Sequence, residues 1–470
     1  MTTNGNGNAA YDVLLLSCYE LGHQPINLAS PLAALAAVGH TARAVDLAVE
    51  PLAAALDIHA RMVGISVPMH TALRIGEAAA REIRSAHPEA HICFYGHYAE
   101  LNGEYLLAGA ADSIIAGEYE SALVNLASAL ESGQYEEEAP PEGVRTRQAL
   151  ATPTIRRIPF RQPKRESLPP LNRYAHFVHQ NGCELAGYVE ASRGCKHTCR
   201  HCPITPIYNG RFFVVPVETV LADIRAQAAW GARHITFGDP DFLNGPGHAL
   251  KILRAMQAEF PQLTFDFTAK IEHLRKNTAL LPEISQLGCA FIVSAVESLS
   301  DNVLTALNKG HSRQDVLQVI DELHAVGITL RPSLLPFTPW ATLDDYLDLL
   351  RFVREYDLTD SVDPVHLSIR LLIPPGSAVL DIAEATDWLG QLDPENYSYT
   401  WTHPDSRMDQ LQVEVAALVA ASEQDQISAP ITFARIEKLA FGLAGLAVTE
   451  YRPRAGSRPP APHLTESWFC

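Results

Sequence analysis

The sequence predicts an α/β protein with an N-terminal, Rossmann-like doubly wound sheet, then a partial (β/α)6 TIM-like barrel, then a C-terminal extension. Over the first 130 residues, short apolar runs of strand-forming residues alternate with helix-like segments. Strands that alternate with helices form parallel sheets. The alternation begins again near Gly187, and six strand–helix units with right-handed crossovers would curl into an incomplete barrel.

The length of 470 residues is too great for one compact core and predicts several domains. We expect a first domain at residues 1–133, a linker at 134–182, the barrel at 183–385 and the extension at 386–470. The linker prediction depends on an acidic run that is followed by proline-rich and basic stretches.

The predicted elements follow from local pattern. In the first domain we expect strands at Tyr11–Ser17, Thr41–Asp46, Met62–Val67, His91–Tyr95 and Ser113–Ala116. In the barrel we expect strands at Tyr188–Ser192, His234–Asp239, Thr264–Lys270, Ala290–Ser298, Ile328–Phe337 and Val365–Pro374. Helices are predicted at Ala29–Val38, Ala72–Ser85 and Gln410–Ser422.

The composition excludes some classes of protein. Hydrophobic residues make up 47% and charged residues 19% of the chain, which is typical of a globular protein. The formal net charge of −18 argues against a nucleic-acid partner held by bulk charge. There is no signal-like N-terminal segment and no apolar run of about 18 residues, so we expect a cytoplasmic chain without a membrane partner.

Three of the eight cysteines fall within eight residues, in the segment SRGCKHTCRHCP. Cys195, Cys199 and Cys202 have the spacing C-x3-C-x2-C, directly after the first predicted barrel strand. Three thiolates can hold a four-iron cluster and leave one iron open to a small ligand. On spacing alone two alternatives stay open: a zinc ion with His197 or His201 as fourth ligand, and a turn that binds no metal.

This loop, followed by six βα units, resembles the radical S-adenosylmethionine (SAM) superfamily, and the first domain resembles the cobalamin-binding domain of its cobalamin-dependent branch. The resemblance covers roughly residues 11–385. It implies a 4Fe-4S cluster on Cys195, Cys199 and Cys202, SAM on the open iron, and cobalamin as a third cofactor. It also implies a small-molecule or peptide substrate and an external electron donor such as flavodoxin or ferredoxin. Family members often have an aromatic residue before the third cysteine, where this chain has His201.

The end of the second barrel strand reads FGDPDF and is similar to the family segment that meets the SAM amino group. By that resemblance Gly238, Asp239 and Asp241 bind SAM, since a carboxylate can hold an ammonium group. The alternative for the aspartates is a helix N-cap, which aspartate also favours.

Five more residues lie on or after the next strands. The resemblance places Lys270, Ser294 and Glu297 near the carboxylate or ribose of SAM; an exposed strand end is the alternative for the fourth strand. Arg331 and Arg370, on the fifth and sixth strands, would point into the barrel mouth toward a carboxylate or phosphate. We predict a cofactor-binding role for Arg331 and a catalytic role for Arg370, with a structural salt bridge as the alternative for each.

The cobalamin prediction is weakened by one missing motif. The family's Asp-x-His-x-x-Gly motif, whose histidine ligates cobalt, belongs after the first strand, where this chain reads SCYELGHQP. The segment Asp57-Ile58-His59 precedes the third strand and has the wrong glycine spacing. Members of this branch that lack the histidine include both cobalamin binders and proteins that keep only the fold.

The chain ends in TESWFC, and Cys470 is a predicted catalytic residue. With GDPDFLNGP and LSIRLLIPPGS, this ending resembles a radical SAM group whose chains finish in Cys, then Cys or selenocysteine, then Ala-Glu-Pro. A selenocysteine codon read as a stop would produce such an ending. A soft Cys–selenocysteine pair could hold arsenic or selenium. The alternative is a thiol without a role.

The resemblance therefore implies a transferase that cleaves SAM reductively and modifies a small molecule or peptide, with methyl transfer through cobalamin as the expected outcome. The first alternative is cobalamin-independent transfer of a 3-amino-3-carboxypropyl group to arsenic or another soft element. The second alternative is a zinc- or cluster-binding protein without turnover.

Overall fold

The computed structural model describes residues 11–447 and 461–465. The first domain has a six-stranded sheet whose strands are β1 Tyr11–Ser17, β2 Ala42–Asp46, β3 Ala60–Ser66, β4 His91–Tyr95, β5 Ser113–Ile115 and β6 Val144–Arg145. Its helices are α1 Ile26–Ala37, α2 Ala53–Leu56, α3 His70–Ala86, α4 His97–Leu101, α5 Gly103–Ala108 and α6 Glu120–Ser132.

The strand order of this sheet is β2-β1-β3-β4-β5-β6, with the first five strands parallel and β6 antiparallel to β5. Two apolar clusters cover its faces, one formed with α1 and α6 and the other with α3 to α5. This is the doubly wound arrangement that the sequence predicts, and it places all five parallel strand ends at one edge.

The second part of the chain contains β7 His176–His179, β8 Gly182–Val189, β9 Ser192–Gly194, β10 Phe212–Val214, β11 His234–Phe237, β12 Thr264–Thr268, β13 Cys289–Glu297 and β14 Thr329–Leu334. Its helices are α7 Thr205–Tyr208, α8 Val217–Ala229, α9 Pro246–Glu259, α10 Ile271–Lys276, α11 Leu281–Gln286, α12 Asp301–Ala306, α13 Arg313–Ala325 and α14 Leu343–Glu355. The C-terminal extension adds β15 Leu389–Asp393, β16 Ser398–Trp401, α15 Ser406–Gln424, α16 Ala429–Leu443 and β17 His463–Leu464.

The main sheet here has the order β14-β13-β12-β11-β8-β7-β17. The five strands β8, β11, β12, β13 and β14 are parallel and curl into a half-barrel, while β7 and β17 extend its β8 edge as antiparallel strands. Alternate residues along each strand face either the interior or the helices. None of the helices in the described ranges is long and apolar enough to cross a membrane.

The predicted sixth barrel strand, Val365–Pro374, is wrong as a strand. A 3-10 helix occupies Pro364–Leu367, and only a single parallel bridge joins Phe337 to Arg370. Prolines lie at or beside both ends of this stretch, at Pro364, Pro374 and Pro375, and offer no N–H to a ladder. The barrel is therefore open on this side.

The predicted linker at 134–182 takes part in both sheets, through β6 and β7. Its Arg165 is fully buried, and its guanidinium donates to both carboxylate oxygens of Asp223 on α8, at 2.7 and 3.0 Å. The same group donates to the backbone oxygens of Gln24 and Tyr188. Arg165 thus joins the linker, the first domain and the barrel.

At the carboxyl edge of the first sheet, Glu20 is buried close to Asp46. Burial, with the neighbouring carboxyl as a second cause, raises the pKa of Glu20 to about 8. The folded chain therefore holds a proton on Glu20 that the unfolded chain releases at a lower pH.

Replacement of Arg165 by Met should lower the urea midpoint of unfolding, because it leaves the Asp223 carboxylate buried without a partner. A lost buried ion pair costs about 3–5 kcal/mol. Tryptophan fluorescence against urea measures the shift. The matched control is Arg156→Met, since Arg156 pairs with Glu142 in solvent; an equal effect of both variants would contradict the role given to Arg165.

The raised pKa of Glu20 predicts a pH-dependent stability. Its contribution is fully present below the unfolded pKa and is lost as the pH rises through about 8. The melting temperature of Glu20→Gln relative to wild type should therefore be higher at pH 8 than at pH 5. The exposed Glu104→Gln is the control, and a Glu20→Gln difference that is the same at both pH values would refute the assignment.

Candidate functional site

The three clustered cysteines lie on one loop above the half-barrel. Strand β9 ends at Gly194 and pairs with β10, and the loop turns from there so that Cys202 N–H donates to the Cys199 carbonyl at 3.2 Å. Gly194 has φ +75°, and a side chain there would come within 2.4 Å of the Tyr208 ring. Only glycine therefore fits at the point where this loop begins.

The three thiols suit an iron–sulfur cluster. Cys195 and Cys199 are buried, Cys202 is half-buried, and all three are free thiols. Burial raises the pKa of Cys195 to about 12 and that of Cys202 to about 11, so bound iron would have to displace their protons. The two candidate fourth ligands for zinc differ: both ring nitrogens of His197 face carboxylates at 3.4 Å, whereas His201 pairs with Glu297 at 3.3 Å through Nε2 and has no partner for Nδ1 among the described residues.

Glu297 supports one side of the loop. It ends β13 after a register shift, with φ +61°, a strained conformation for a residue with a side chain. One carboxylate oxygen lies 3.1 Å from Nζ of the buried Lys309 and 3.3 Å from Nε2 of His201. Although burial opposes it, Lys309 and His201 hold the pKa of Glu297 well below its usual value. Glu297 is therefore a charged group in direct contact with the loop.

Asp239, two residues after the end of β11, contacts the segment that leads into the same loop. Its carboxylate accepts from Ala191 N at 2.9 Å and from Ser192 Oγ at 2.5 Å. Burial raises its pKa to about 7. Its neighbour Gly238 is required by close packing, since a Cβ would lie 2.0 Å from the Tyr188 hydroxyl. In this structure the Asp239 side chain positions the loop and leaves the backbone of Gly238 facing the cavity.

Asp241 makes the N-cap contact that the sequence left open as the alternative, and its SAM-binding role stays a prediction. One oxygen accepts from Leu243 N at 3.0 Å, which is the N-cap arrangement, and the other faces His197 and His273. Lys270 donates its backbone N–H to Asp241 at 3.3 Å, and its ammonium lies 3.4 Å from Glu272.

The remaining predicted residues are dispersed. Ser294 is fully buried and donates to the Ala269 carbonyl at 2.6 Å. Other residues of its strand line the cavity, but the Ser294 side chain points to the opposite face. Arg331 lines the cavity and donates to both oxygens of Asp363 at 2.8 Å.

Arg370 contacts the C-terminal extension. It pairs with Asp409 at 2.7 Å and lies over the Trp401 ring. The salt-bridge alternative thus describes its contacts, and its catalytic role stays a prediction. Cys470 lies outside the described residues, so its role also stays a prediction.

A cavity of about 130 Å³ lies inside the half-barrel. Its polar lining comes from alternate residues of β11, β12 and β14 and from the segment after β14, namely Thr236, Asp239, Asp266, Thr268, Arg331, Ser333, Ser361, Asp363 and His366. The first domain contributes His23, which stacks on Tyr188 at a ring distance of 4.4 Å. No local sequence pattern singles out Tyr188 or Asp266; inward alternation along short strands identifies both once the register is known.

The two domains meet at Arg193, two residues before Cys195. Its buried guanidinium donates to Glu118 at 3.2 Å, to Glu120 at 2.6 Å and to Glu190 at 2.9 Å. Glu118 and Glu120 follow β5, so the carboxyl edge of the first sheet faces the cysteine loop. Tyr208, after that loop, also donates to Glu118, at 2.8 Å.

This edge has features that fit cobalamin. The buried polar atoms there without a partner among the described residues include Glu20 Oε1, His97 Nδ1 and Glu120 Oε2. Unpaired buried polar atoms are costly, and the protonated Glu20 and the Glu120 carboxylate can pair with the amide groups that surround a corrin ring. The loop after β1 carries His23, whose ring is taken up by the stack on Tyr188, in keeping with the missing lower-ligand motif.

The comparisons with known proteins cover both domains. A model of the radical SAM superfamily matches residues 189–353, and a model of the B12 binding domain matches residues 13–127. Ribosomal protein uS12 methylthiotransferase RimO of Chloroherpeton thalassium is 24% identical over 181 residues, which cover 36% of this chain and 40% of that protein. The tRNA-2-methylthio-N(6)-dimethylallyladenosine synthase of Chlorobium phaeobacteroides is 29% identical over 201 residues, covering 40% of this chain and 43% of that protein.

The matched segment thus spans about two fifths of these relatives. Two solved structures share the fold over more of the chain. The cobalamin-dependent radical SAM enzyme OxsB with aqua-cobalamin has a TM-score of 0.71 at 15% identity, covering 92% of this chain and 72% of that chain. The radical SAM methyltransferase TsrM from Kitasatospora setae, with tryptophan and aza-SAM, has a TM-score of 0.67 at 16% identity, covering 92% and 95%. The chain therefore carries a radical SAM domain and an N-terminal B12-binding domain, and it is an enzyme.

Proposed function

We propose that this enzyme cleaves SAM reductively at a cluster on Cys195, Cys199 and Cys202 and methylates a small molecule with the help of cobalamin. The observation that carries the proposal is the position of the three thiols. They lie between the mouth of the half-barrel and the carboxyl edge of the B12-binding domain, and residues of both domains line the cavity inside the half-barrel. A methyl donor on one side and a radical on the other could thus reach one substrate.

When bound, a cluster with one open iron would bind SAM and supply the electron that breaks a C–S bond. Cobalamin would supply the methyl group. The chain positions them. Glu297 positions the cysteine loop through its contact with His201, and Asp239 does so through Ser192. Gly238 has no side chain, so its backbone faces the cavity. Glu20, His97 and Glu120 would hold polar groups of cobalamin.

The cavity favours a small polar substrate over a peptide. Arg331 and His366 could meet a carboxylate or phosphate, and Asp239 and Asp266 could meet an amine. The enzyme also needs a reductant, for which we propose a one-electron donor of the flavodoxin or ferredoxin class.

A second candidate is transfer of the 3-amino-3-carboxypropyl group of SAM to arsenic or another soft element, without cobalamin. The observation that favours it is the ion cluster at Arg193, which fills part of the edge that cobalamin would use. The two candidates break different C–S bonds of SAM and leave different nucleosides.

The anaerobically reconstituted enzyme, with dithionite, SAM and added cobalamin, should release 5′-deoxyadenosine if it is a methylase. Methylthioadenosine as the main nucleoside would instead support the second candidate. Liquid chromatography with mass spectrometry distinguishes the two products.

Cys195→Ala should lose most of the cluster iron and all nucleoside release, whereas Cys183→Ala, at an exposed thiol on β8, should keep both. Zinc as the only bound metal, with neither nucleoside formed, would overturn both candidates. Cobalamin that stays bound through gel filtration supports methylation, and its loss counts against it.

A further inference from the structure

A second group of potential metal ligands lies on the other side of the cysteine loop from Glu297. His197 belongs to the loop, Asp241 follows β11, and His273 lies on α10. One atom from each converges on a common point: Asp241 Oδ2 is 3.4 Å from His197 Nε2 and 2.8 Å from His273 Nδ1, and the two ring nitrogens are 3.3 Å apart.

These distances suit a small metal ion. In a tetrahedral site with metal–ligand bonds of about 2.0–2.1 Å, neighbouring ligand atoms lie about 3.3–3.4 Å apart. Two edges of the triangle have this length. The third, between Asp241 and His273, is about 0.5 Å shorter, which a small rotation of the His273 side chain would correct. Two imidazoles and a carboxylate are also a common ligand set for first-row transition metals.

The histidine tautomers that suit these contacts are close to those that a metal needs. With its hydrogen on Nδ1, toward Glu272, His197 presents an unprotonated Nε2 to the centre of the triangle. Without a metal, His273 Nδ1 donates to Asp241 Oδ2, which also accepts from Lys270 N, and lies 3.3 Å from His197 Nε2. A cation in the centre requires only that His273 Nδ1 give up its hydrogen.

The surroundings hold the ligands in place. Asp241 Oδ1 accepts from Leu243 N, which aims Oδ2 at the histidines. The other ring nitrogen of His197 faces Glu272 at 3.4 Å, the carboxylate–histidine pairing that usually orients a metal ligand. Glu272 is itself fixed by Lys276 at 2.5 Å. The ligand side chains are 0% exposed at Asp241 and 8–11% exposed at the histidines, so bulk water competes weakly.

We propose that His197, Asp241 and His273 bind a divalent transition-metal ion, with zinc as the probe, beside the iron–sulfur cluster and independently of it. The ion would tie together three segments that are distant in sequence, including the cysteine loop itself. This site uses no cluster cysteine, and its failure would leave the proposed function untouched.

The test uses the full chain with its cluster reconstituted, then one equivalent of zinc and removal of excess ion. Elemental analysis should find one zinc per chain with the iron content unchanged. His273→Ala and Asp241→Asn should lose the zinc, and Glu272→Gln should weaken its affinity about 10- to 100-fold. The exposed His59→Ala is the matched control and should keep it.

Cobalt(II) bound to the Cys195→Ala/Cys199→Ala/Cys202→Ala variant provides the second readout. Visible bands without a sulfur-to-metal charge-transfer band would place the ion on nitrogen and oxygen ligands. Zinc at background in the reconstituted wild type, or equal zinc in wild type and His273→Ala, would overturn the proposal. Circular dichroism verifies that each variant is folded.

Discussion

The ion cluster around Arg193 joins the two domains beside the cysteine loop. Three carboxylates from two domains surround one guanidinium, and Tyr119 and Phe160 lie 5.4 and 5.3 Å from it. Although burial opposes a charge, these carboxylates raise the pKa of Arg193, so it stays protonated. A buried charge with its partners removed is strongly destabilising, so this contact fixes how the first domain meets the cysteine loop.

The cysteine loop itself has little secondary structure and depends on the ends of the parallel strands. β11 supplies Asp239 to the start of the loop, and β13 supplies Glu297 to His201. Parallel strands end at one face, so side chains far apart in sequence converge there. The strained backbone at Glu297 shows that surrounding contacts, above all Lys309, hold it in position.

The sequence was most informative where chemistry requires fixed spacing. The cysteine triplet and the βα alternation predicted the cluster loop and five of the six barrel strands, because thiol spacing and strand period are local. The prediction of the sixth strand was wrong because it followed the apolar residues and gave too little weight to the prolines at and beside both ends. The roles of His273 and Arg193 were not predicted, because their partners are distant in sequence. Asp241 is 32 positions from His273, and Glu118 and Glu120 are 75 and 73 positions from Arg193. Such long-range ion pairs can be derived only when the pairing register of the strands is known. The same register is needed to see that the Ser294 side chain points away from the cavity.

The antiparallel strands β7 and β17 also affect how the protein behaves in solution. An incomplete barrel leaves the β8 edge with unpaired backbone groups, which is a template for strand addition from another chain. Here β7 covers that edge, and the two residues of β17 cover part of β7 in turn. A segment from the end of the chain therefore protects the sheet against self-association, and the half-barrel can stay open to substrate without exposing this edge to neighbouring molecules.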